Sequence, residues 1–148
     1  MPPAELSENH RRSISIRSQL IDEALCDWDR WIDGKLKRGV IYREVDTLSE
    51  NQKRELRKKI EETRQLIIRL RDDLHLQSKM VPTARSIIAH ASLLWEMSTE
   101  LNSRGLTAYG MVPEGLTHYL DPIGEKLAKQ MNAITALLSE PKSRVTRS

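Results

Sequence analysis

The sequence contains no phenylalanine, a single cysteine, and only six glycines and six prolines among 148 residues. One cysteine, Cys26, excludes an internal disulfide framework and suits a reducing compartment. The scarcity of turn-forming residues argues against a chain built from many short strands. No run of about eighteen uncharged apolar residues is present, so we expect no membrane span. These absences favour a helical protein of the cytoplasm.

Charged residues make up 30% of the sequence and hydrophobic residues 39%, which is ordinary for a helical protein. The net charge of +3 at pH 7 is too small to identify a nucleic-acid partner by itself. The length fits one domain, and we assign residues 1–140 to a single helical-bundle domain. We expect residues 141–148 to be a basic, disordered tail.

Four segments carry apolar residues at the three- and four-residue spacing of amphipathic helices. In the first segment, Ile14, Ile21 and Trp28 recur every seven residues. The third segment is apolar around so wide an arc that it should pack among several neighbours. The predicted helices span residues 4–33, 47–77, 82–104 and 121–139, with a short helical turn near 113–119.

Local signals mark the predicted ends of these helices. Gly34 is well placed as a left-handed stop for the first helix. Thr47 and Glu50 form a capping box before the second helix. Asp121 followed by Pro122 is a start signal for the last helix.

Four amphipathic helices with long connectors after the first and third predict an all-α protein, an antiparallel up-and-down four-helix bundle. The first connector contains a β-favouring run of Val40, Ile41 and Tyr42. We expect this run to pack as an extended segment across one end of the bundle. The wide apolar arc of the third helix leaves room for a second subunit, so we expect a homodimer.

All six aromatic residues are predicted to lie towards the same end of this bundle. Convergent aromatic rings beside long connectors often form a small-molecule or peptide groove. The structural alternative, which we favour, is that the large rings close the end of the bundle. The residues are Trp28, Trp31, Tyr42, Trp95, Tyr109 and Tyr119.

The opposite end of the predicted bundle gathers basic residues near the start of the first helix. Clustered cations attract phosphate, so this end is a candidate contact for an anion or a nucleic acid. The alternative is a solvated helix end, because the interleaved aromatics typical of single-strand binding are missing. The candidate contact residues are His10, Arg11, Arg12 and Arg17.

His90 is a titratable residue within the apolar arc of the third helix. A histidine in that setting is typical of a hydrogen-bonded core residue, and the alternative is a general acid or base. Arg85 and His90 have the R-x4-H spacing, RSIIAH, which is similar to the motif of HEPN ribonucleases. That resemblance, carried by six residues, implies a metal-independent RNA-cleaving site at the cleft of a helical dimer.

Motifs of other catalytic classes are missing from the sequence. It has no H-E-x-x-H, no paired C-x-x-C, no calcium loop and no glycine-rich phosphate loop, so we expect no metal and no cofactor. Acidic residues lie near Cys26, unlike the electropositive setting of a nucleophilic thiol. The sequence therefore predicts a non-enzymatic interaction or regulatory module that acts as a homo-oligomer. The alternatives are a HEPN-like ribonuclease or a weak nucleic-acid-binding module, and we expect no membrane contact.

Overall fold

The computed structural model of the chain describes residues 5–139. The regular elements in that range are helices, with one isolated antiparallel bridge between Arg38 and Arg43, so the all-α prediction is confirmed. The chain divides into two compact units, Met1–Lys79 and Met80–Ser148, and each is described by itself. The tail predicted at 141–148 lies outside the described residues, and a single domain over 1–140 stays a prediction.

The first unit is a hairpin of two helices, α1 (Glu8–Ile32) and α2 (Glu50–Leu74). The buried positions of α1 recur every seven residues, at 18, 25 and 32, which keeps one stripe of the helix against one neighbour. The core of the hairpin consists of the buried Leu25, Ile32 and Ile60, with Leu48 and Leu56 packed against them.

Local hydrogen bonds set both ends of α1. The hydroxyl of Ser7 accepts a hydrogen bond from the His10 N–H at 3.1 Å, so the helix begins at Glu8 and not at residue 4 as predicted. At the other end, Gly34 has a φ of +78° and its N–H donates to the Trp31 carbonyl. The prediction of Gly34 as a left-handed stop is confirmed.

The second helix begins at Glu50, and its cap is Ser49, two residues after the predicted cap at Thr47. The Ser49 hydroxyl accepts from the Gln52 N–H, and the Gln52 side chain accepts from the Ser49 N–H, so these two residues form the capping box. The Asp46 carboxylate accepts from the Leu48 N–H at 3.0 Å. This bond holds the preceding residues in a turn, which delays the start of α2.

The second helix ends at Leu74, three residues before the predicted end. His75 adopts the left-handed conformation with a φ of +54°, and the Leu76 N–H closes the turn on the Arg71 carbonyl at 3.0 Å. The Arg11 guanidinium of α1 donates to the Leu74 carbonyl, one of the acceptors that a helix end leaves unsatisfied. A side chain of α1 therefore contributes to the C-terminal cap of α2.

The second unit contains α3 (Thr83–Glu100), α4 (Ser103–Leu106), a 3₁₀ turn (Thr107–Tyr109) and α5 (Glu114–Leu138). Helices α3 and α5 pack against each other through small residues. A Cβ added at Gly124 would lie 2.2 Å from the Leu101 carbonyl oxygen, so the two backbones approach as closely as glycine permits. The buried residues of this pair are Ala91, Ser98, Gly124 and Ala128.

The predicted end of the third helix at residue 104 is wrong, because α3 ends at Glu100. The Asn102 side-chain oxygen accepts from the Gly105 N–H at 2.7 Å, and its amide donates to the Thr99 carbonyl at 2.6 Å. The first bond caps the start of α4 and the second closes the end of α3. Gly105 is required there, since a Cβ would lie 2.0 Å from the Glu100 carbonyl oxygen.

The predicted start of the last helix at residue 121 is also wrong. The helix begins at Glu114, so the turn predicted near 113–119 and the last helix are one continuous element with Pro122 inside it. The Asp121 carboxylate accepts from the Ser103 N–H at 2.8 Å and from the Ser103 hydroxyl at 3.2 Å. The acidic residue thus serves the start of α4 and does not cap its own helix.

Candidate interaction surfaces

Arg85 and His90, the candidate catalytic pair, both lie on α3 with exposed side chains. His90 therefore lies outside the contact between α3 and α5, and both predictions for it, a core residue or a general acid or base, stay predictions. On an ideal helix, residues five positions apart diverge by about 140°. The two side chains of one α3 helix consequently face different directions, and a joint cleft would need a second chain. The ribonuclease hypothesis stays a prediction.

The six aromatic residues divide equally between the two units. The first unit holds Trp28, Trp31 and Tyr42, and the second holds Trp95, Tyr109 and Tyr119. Their exposed fractions range from 38% for Trp31 to 88% for Tyr109. Neither helix pair buries these rings by itself, and their role as the closure of a bundle end stays a prediction. A pocket that uses all six rings stays a prediction.

The four candidate anion-contact residues lie on α1. Two of their guanidinium groups have partners, since Arg11 donates to the Leu74 carbonyl and Arg17 donates to Ser13. Arg12 borders a shallow groove that Glu8 also lines, and a carboxylate there opposes anion binding. His10 is exposed. An anion contact at His10, Arg11, Arg12 and Arg17 stays a prediction. The guanidinium groups of Arg11 and Arg17 already bond to other parts of the protein, which weakens it.

Residues 5–139 contain neither a metal-binding cluster nor a membrane-spanning helix. That range holds no group of three or more histidine, cysteine, aspartate or glutamate residues placed to share a metal ion. None of its helices has both the length and the apolar character needed to cross a membrane. Cys26, on α1, is an exposed free thiol.

One side of the first hairpin is apolar and exposed. In α1, exposed apolar side chains lie beside the buried stripe that contacts α2. In α2, exposed apolar side chains likewise lie beside its buried positions. The two helices run antiparallel, so helical spacing places both extensions on the same side of the hairpin. We call this surface the first apolar face, which consists of Leu20, Ile21, Trp28, Leu66 and Leu70.

The opposite side of the first hairpin carries ion pairs. A guanidinium nitrogen of Arg64 lies 2.6 Å from a carboxylate oxygen of Asp29, and the hydrogen bond between them raises the pKa of Arg64. Arg57 pairs with Asp33 at 3.1 Å. These pairs join the end of α1 to the first half of α2, which establishes the antiparallel direction. On the charged side, the side chains have ion-pair partners within the hairpin. On the apolar side, the large side chains remain exposed.

The second hairpin has a comparable apolar side. Small residues occupy the contact between α3 and α5, so the larger side chains lie beside that contact and remain exposed. Ser98, near the end of α3, and Leu101, just after it, meet Gly124 in the first half of α5, so these helices are also antiparallel. Helical spacing then places the exposed side chains on one side, with His90 among them. We call this the second apolar face: Ile87, Leu94, Met97, Ile123 and Leu127.

The connector between α1 and α2 forms a small hairpin, which we call the tip loop (residues 37–44). The Gly39 N–H donates to the Tyr42 carbonyl at 2.7 Å, and a second backbone hydrogen bond of 2.9 Å joins the two arms. Val40 and Ile41 occupy the turn with fully exposed side chains, at 102% and 99%. The prediction that this run packs across a bundle end is wrong.

The tip loop is anchored to α2 through Asp46. The Asp46 carboxylate accepts from the Lys53 ammonium at 2.6 Å and from the Leu48 N–H at 3.0 Å. The bond from Lys53 is the larger cause that lowers the pKa of Asp46, and the same bond raises the pKa of Lys53. The loop therefore has a fixed base beneath an apolar turn.

Comparison of the chain with protein-family models, with curated proteins and with solved structures finds no match. Function is therefore inferred from the surfaces of the molecule.

Proposed function

We propose that this chain is a non-enzymatic interaction module that acts as a homodimer, and that the second apolar face is the dimer interface. The exposed fractions of its five side chains, from 36% to 63%, carry the proposal. Full burial of one such side chain stabilises a protein by about 1.5–3 kcal/mol. Soluble monomers rarely leave a contiguous apolar patch of this kind uncovered.

The chemistry of the face favours a second copy as its occupant. Its five defining side chains carry no charge, and His90 is the titratable group beside them, so these six residues form no cluster of like charges that would select an acidic or a basic partner. A two-fold axis allows one apolar patch to pack against itself. Two antiparallel hairpins packed in this way would give a four-helix bundle made of α3 and α5 from each copy, which differs from the single-chain bundle that the helical periodicity predicts.

A matched pair of α3 variants tests this interface. Met97→Asp places a carboxylate in the second apolar face, at a side chain exposed enough to contribute little to the α3–α5 contact. Ser92→Asp places the same group on an exposed, polar part of α3. Burying an unpaired carboxylate is costly, so we expect Met97→Asp to raise the dissociation constant of the dimer at least about tenfold. Ser92→Asp should leave it unchanged.

The oligomeric state distinguishes the occupants of the face. A monomer in which Met97→Asp lowers stability would indicate that the face is covered within one chain, as in the predicted single-chain bundle. A monomer whose stability is unchanged by Met97→Asp would contradict both proposals, that a second copy covers the face and that the rest of the chain covers it. The single exposed thiol, Cys26, supports the further proposal of a cytoplasmic location, because reducing compartments keep such thiols free.

A ribonuclease is the second candidate, on the observation that Arg85 and His90 are both exposed on the helix that carries the proposed interface. Dimerisation through α3 would bring two copies of this pair near each other, which is the setting that the HEPN-like motif implies. RNA that stays intact after prolonged incubation with the protein would contradict this candidate and would leave the dimer proposal untouched.

A further inference from the structure

The tip loop combines a fully exposed apolar turn with a concentration of positive charge. Val40 and Ile41 form the turn. Among the described residues, none of the four basic side chains within or next to the loop forms an ion pair. In the flanking helices α1 and α2, by contrast, most of the lysines and arginines do. These four are Lys35, Lys37, Arg38 and Arg43.

The acidic residues around the loop are already occupied. Asp33 pairs with Arg57 at 3.1 Å, and Asp46 pairs with Lys53 at 2.6 Å. Glu44 accepts a hydrogen bond from the backbone N–H on the opposite arm at 2.7 Å. The local carboxylates are thus directed to partners in the protein, and the surface beside the turn stays positive.

We propose that the tip loop is a membrane-contact site, which inserts Val40 and Ile41 into the surface of a bilayer that contains anionic lipids. Surface binding of this kind gains from buried apolar area and from attraction between cations and lipid phosphates. Tyr42, at the base of the turn, belongs to the residue types enriched at membrane interfaces. The expectation of no membrane contact rested on the lack of a spanning segment, and a surface tip needs none.

The loop is already ordered for such contact. The bridge between Arg38 and Arg43 and the bond from Gly39 to Tyr42 fix the two arms, while Asp46 ties the base to α2. Binding therefore need not order the loop, and ordering is a main cost of association for flexible segments. Only the side chains at the turn and the basic side chains have to change their environment.

A bilayer fits the turn better than the other polyanion, nucleic acid. Reading base edges requires hydrogen-bond donors and acceptors at the point of contact, and the turn presents two aliphatic side chains. Apolar insertion among lipids is non-directional and asks for no such groups. The basic side chains would strengthen binding to a bilayer or to a nucleic acid alike. The aliphatic side chains at the turn favour the bilayer.

Vesicle co-sedimentation of the full-length chain tests the proposal. The probes are vesicles of phosphatidylcholine alone and of phosphatidylcholine with about one-third phosphatidylserine, at low and high salt. The variant is Val40→Ser with Ile41→Ser. Its matched control is Met80→Ser with Val81→Ser, which also removes two adjacent exposed apolar side chains. Circular dichroism should show unchanged helical content in both variants.

We expect the wild type and the control to bind the anionic vesicles and to bind neutral vesicles much more weakly. Loss of two inserted aliphatic side chains should weaken binding of the tip variant about 10- to 100-fold. High salt should weaken binding of the wild type, because it screens the cations. Absence of wild-type binding to the anionic vesicles, or equal binding by the tip variant, would overturn the proposal. Tip-dependent binding to duplex DNA without vesicle binding would overturn it in favour of nucleic acid.

Discussion

At the scale of single residues, the close approach between α5 and the end of α3 depends on Gly124. A methyl group there would lie 2.2 Å from the Leu101 carbonyl oxygen, so Gly124→Ala must push α3 and α5 apart. We expect this substitution to lower the free energy of unfolding by about 1–3 kcal/mol. Gly115, in the same helix, has open space around its Cα, so Gly115→Ala should instead raise it by up to about 1 kcal/mol.

Urea unfolding of the two variants checks this prediction, with the shift in transition midpoint at constant slope as the readout. The opposite signs separate the effect of helix propensity from that of steric contact. Two stabilising alanines would show that the backbones of α3 and α5 are not in contact at Gly124.

Asp46 gives the protein a residue-level dependence on pH. The hydrogen bond from Lys53 lowers the pKa of Asp46 in the folded state. The folded state therefore binds this proton less readily than the unfolded chain, so the group stabilises the fold at pH values above its ordinary pKa of about 3.9. That contribution is lost as the pH falls through the lowered value. The raised pKa of Lys53 gives the converse, with stabilisation lost as the pH rises through it.

Comparison of the wild type with Asp46→Asn isolates this group from other titrating carboxylates. We expect the variant to be less stable at neutral pH and the difference in unfolding free energy to disappear in strong acid, where both side chains are neutral. A difference that stayed constant from neutral to acid pH would show that the charge of Asp46 does not stabilise the fold.

At the scale of elements, the sequence before α2 contains two overlapping capping signals, and the structure shows which one caps the helix. The segment TLSENQ satisfies the capping-box pattern at both Thr47 and Ser49, and the structure uses Ser49. We expect Ser49→Ala to lower the free energy of unfolding by about 1 kcal/mol. Thr47→Ala should change it by much less, because its hydroxyl does not cap the helix. Chemical denaturation of both variants measures the difference, and equal losses would contradict the assigned cap.

The same element shows what the sequence could predict about the fold. Helical periodicity identified the four long helices, and Gly34 identified one stop, because those signals are local. The start of α2 at Glu50 was missed because two capping signals overlap there, at Thr47 and Ser49, and the start of α5 at Glu114 was missed because Asp121 bonds a distant residue. The Asp121 carboxylate accepts hydrogen bonds from Ser103, 18 residues earlier in the chain, so it does not act as the predicted start signal.

At the scale of the whole molecule, the apolar faces could be predicted only in part. Periodicity shows that a stripe is apolar, and it does not show which part of the stripe meets a neighbour. In α3, the small Ala91 and Ser98 take the contact with α5, so the larger Leu94 and Met97 stay outside it. The wide arc of the predicted third helix was the sequence signal for this outcome. The fully exposed turn of the tip loop, Val40 and Ile41, had no such signal, since its β-favouring run suggested packing.

The central claim is that the second apolar face joins two copies of the chain, and sedimentation equilibrium over a range of concentrations tests it most directly. The account predicts a mass that rises with concentration from 17.1 kDa towards about 34 kDa, twice that value, for the wild type and for Ser92→Asp. Met97→Asp should remain close to 17.1 kDa in the same range. A wild-type mass of 17.1 kDa at every concentration, or the same association in Met97→Asp as in Ser92→Asp, would contradict the claim.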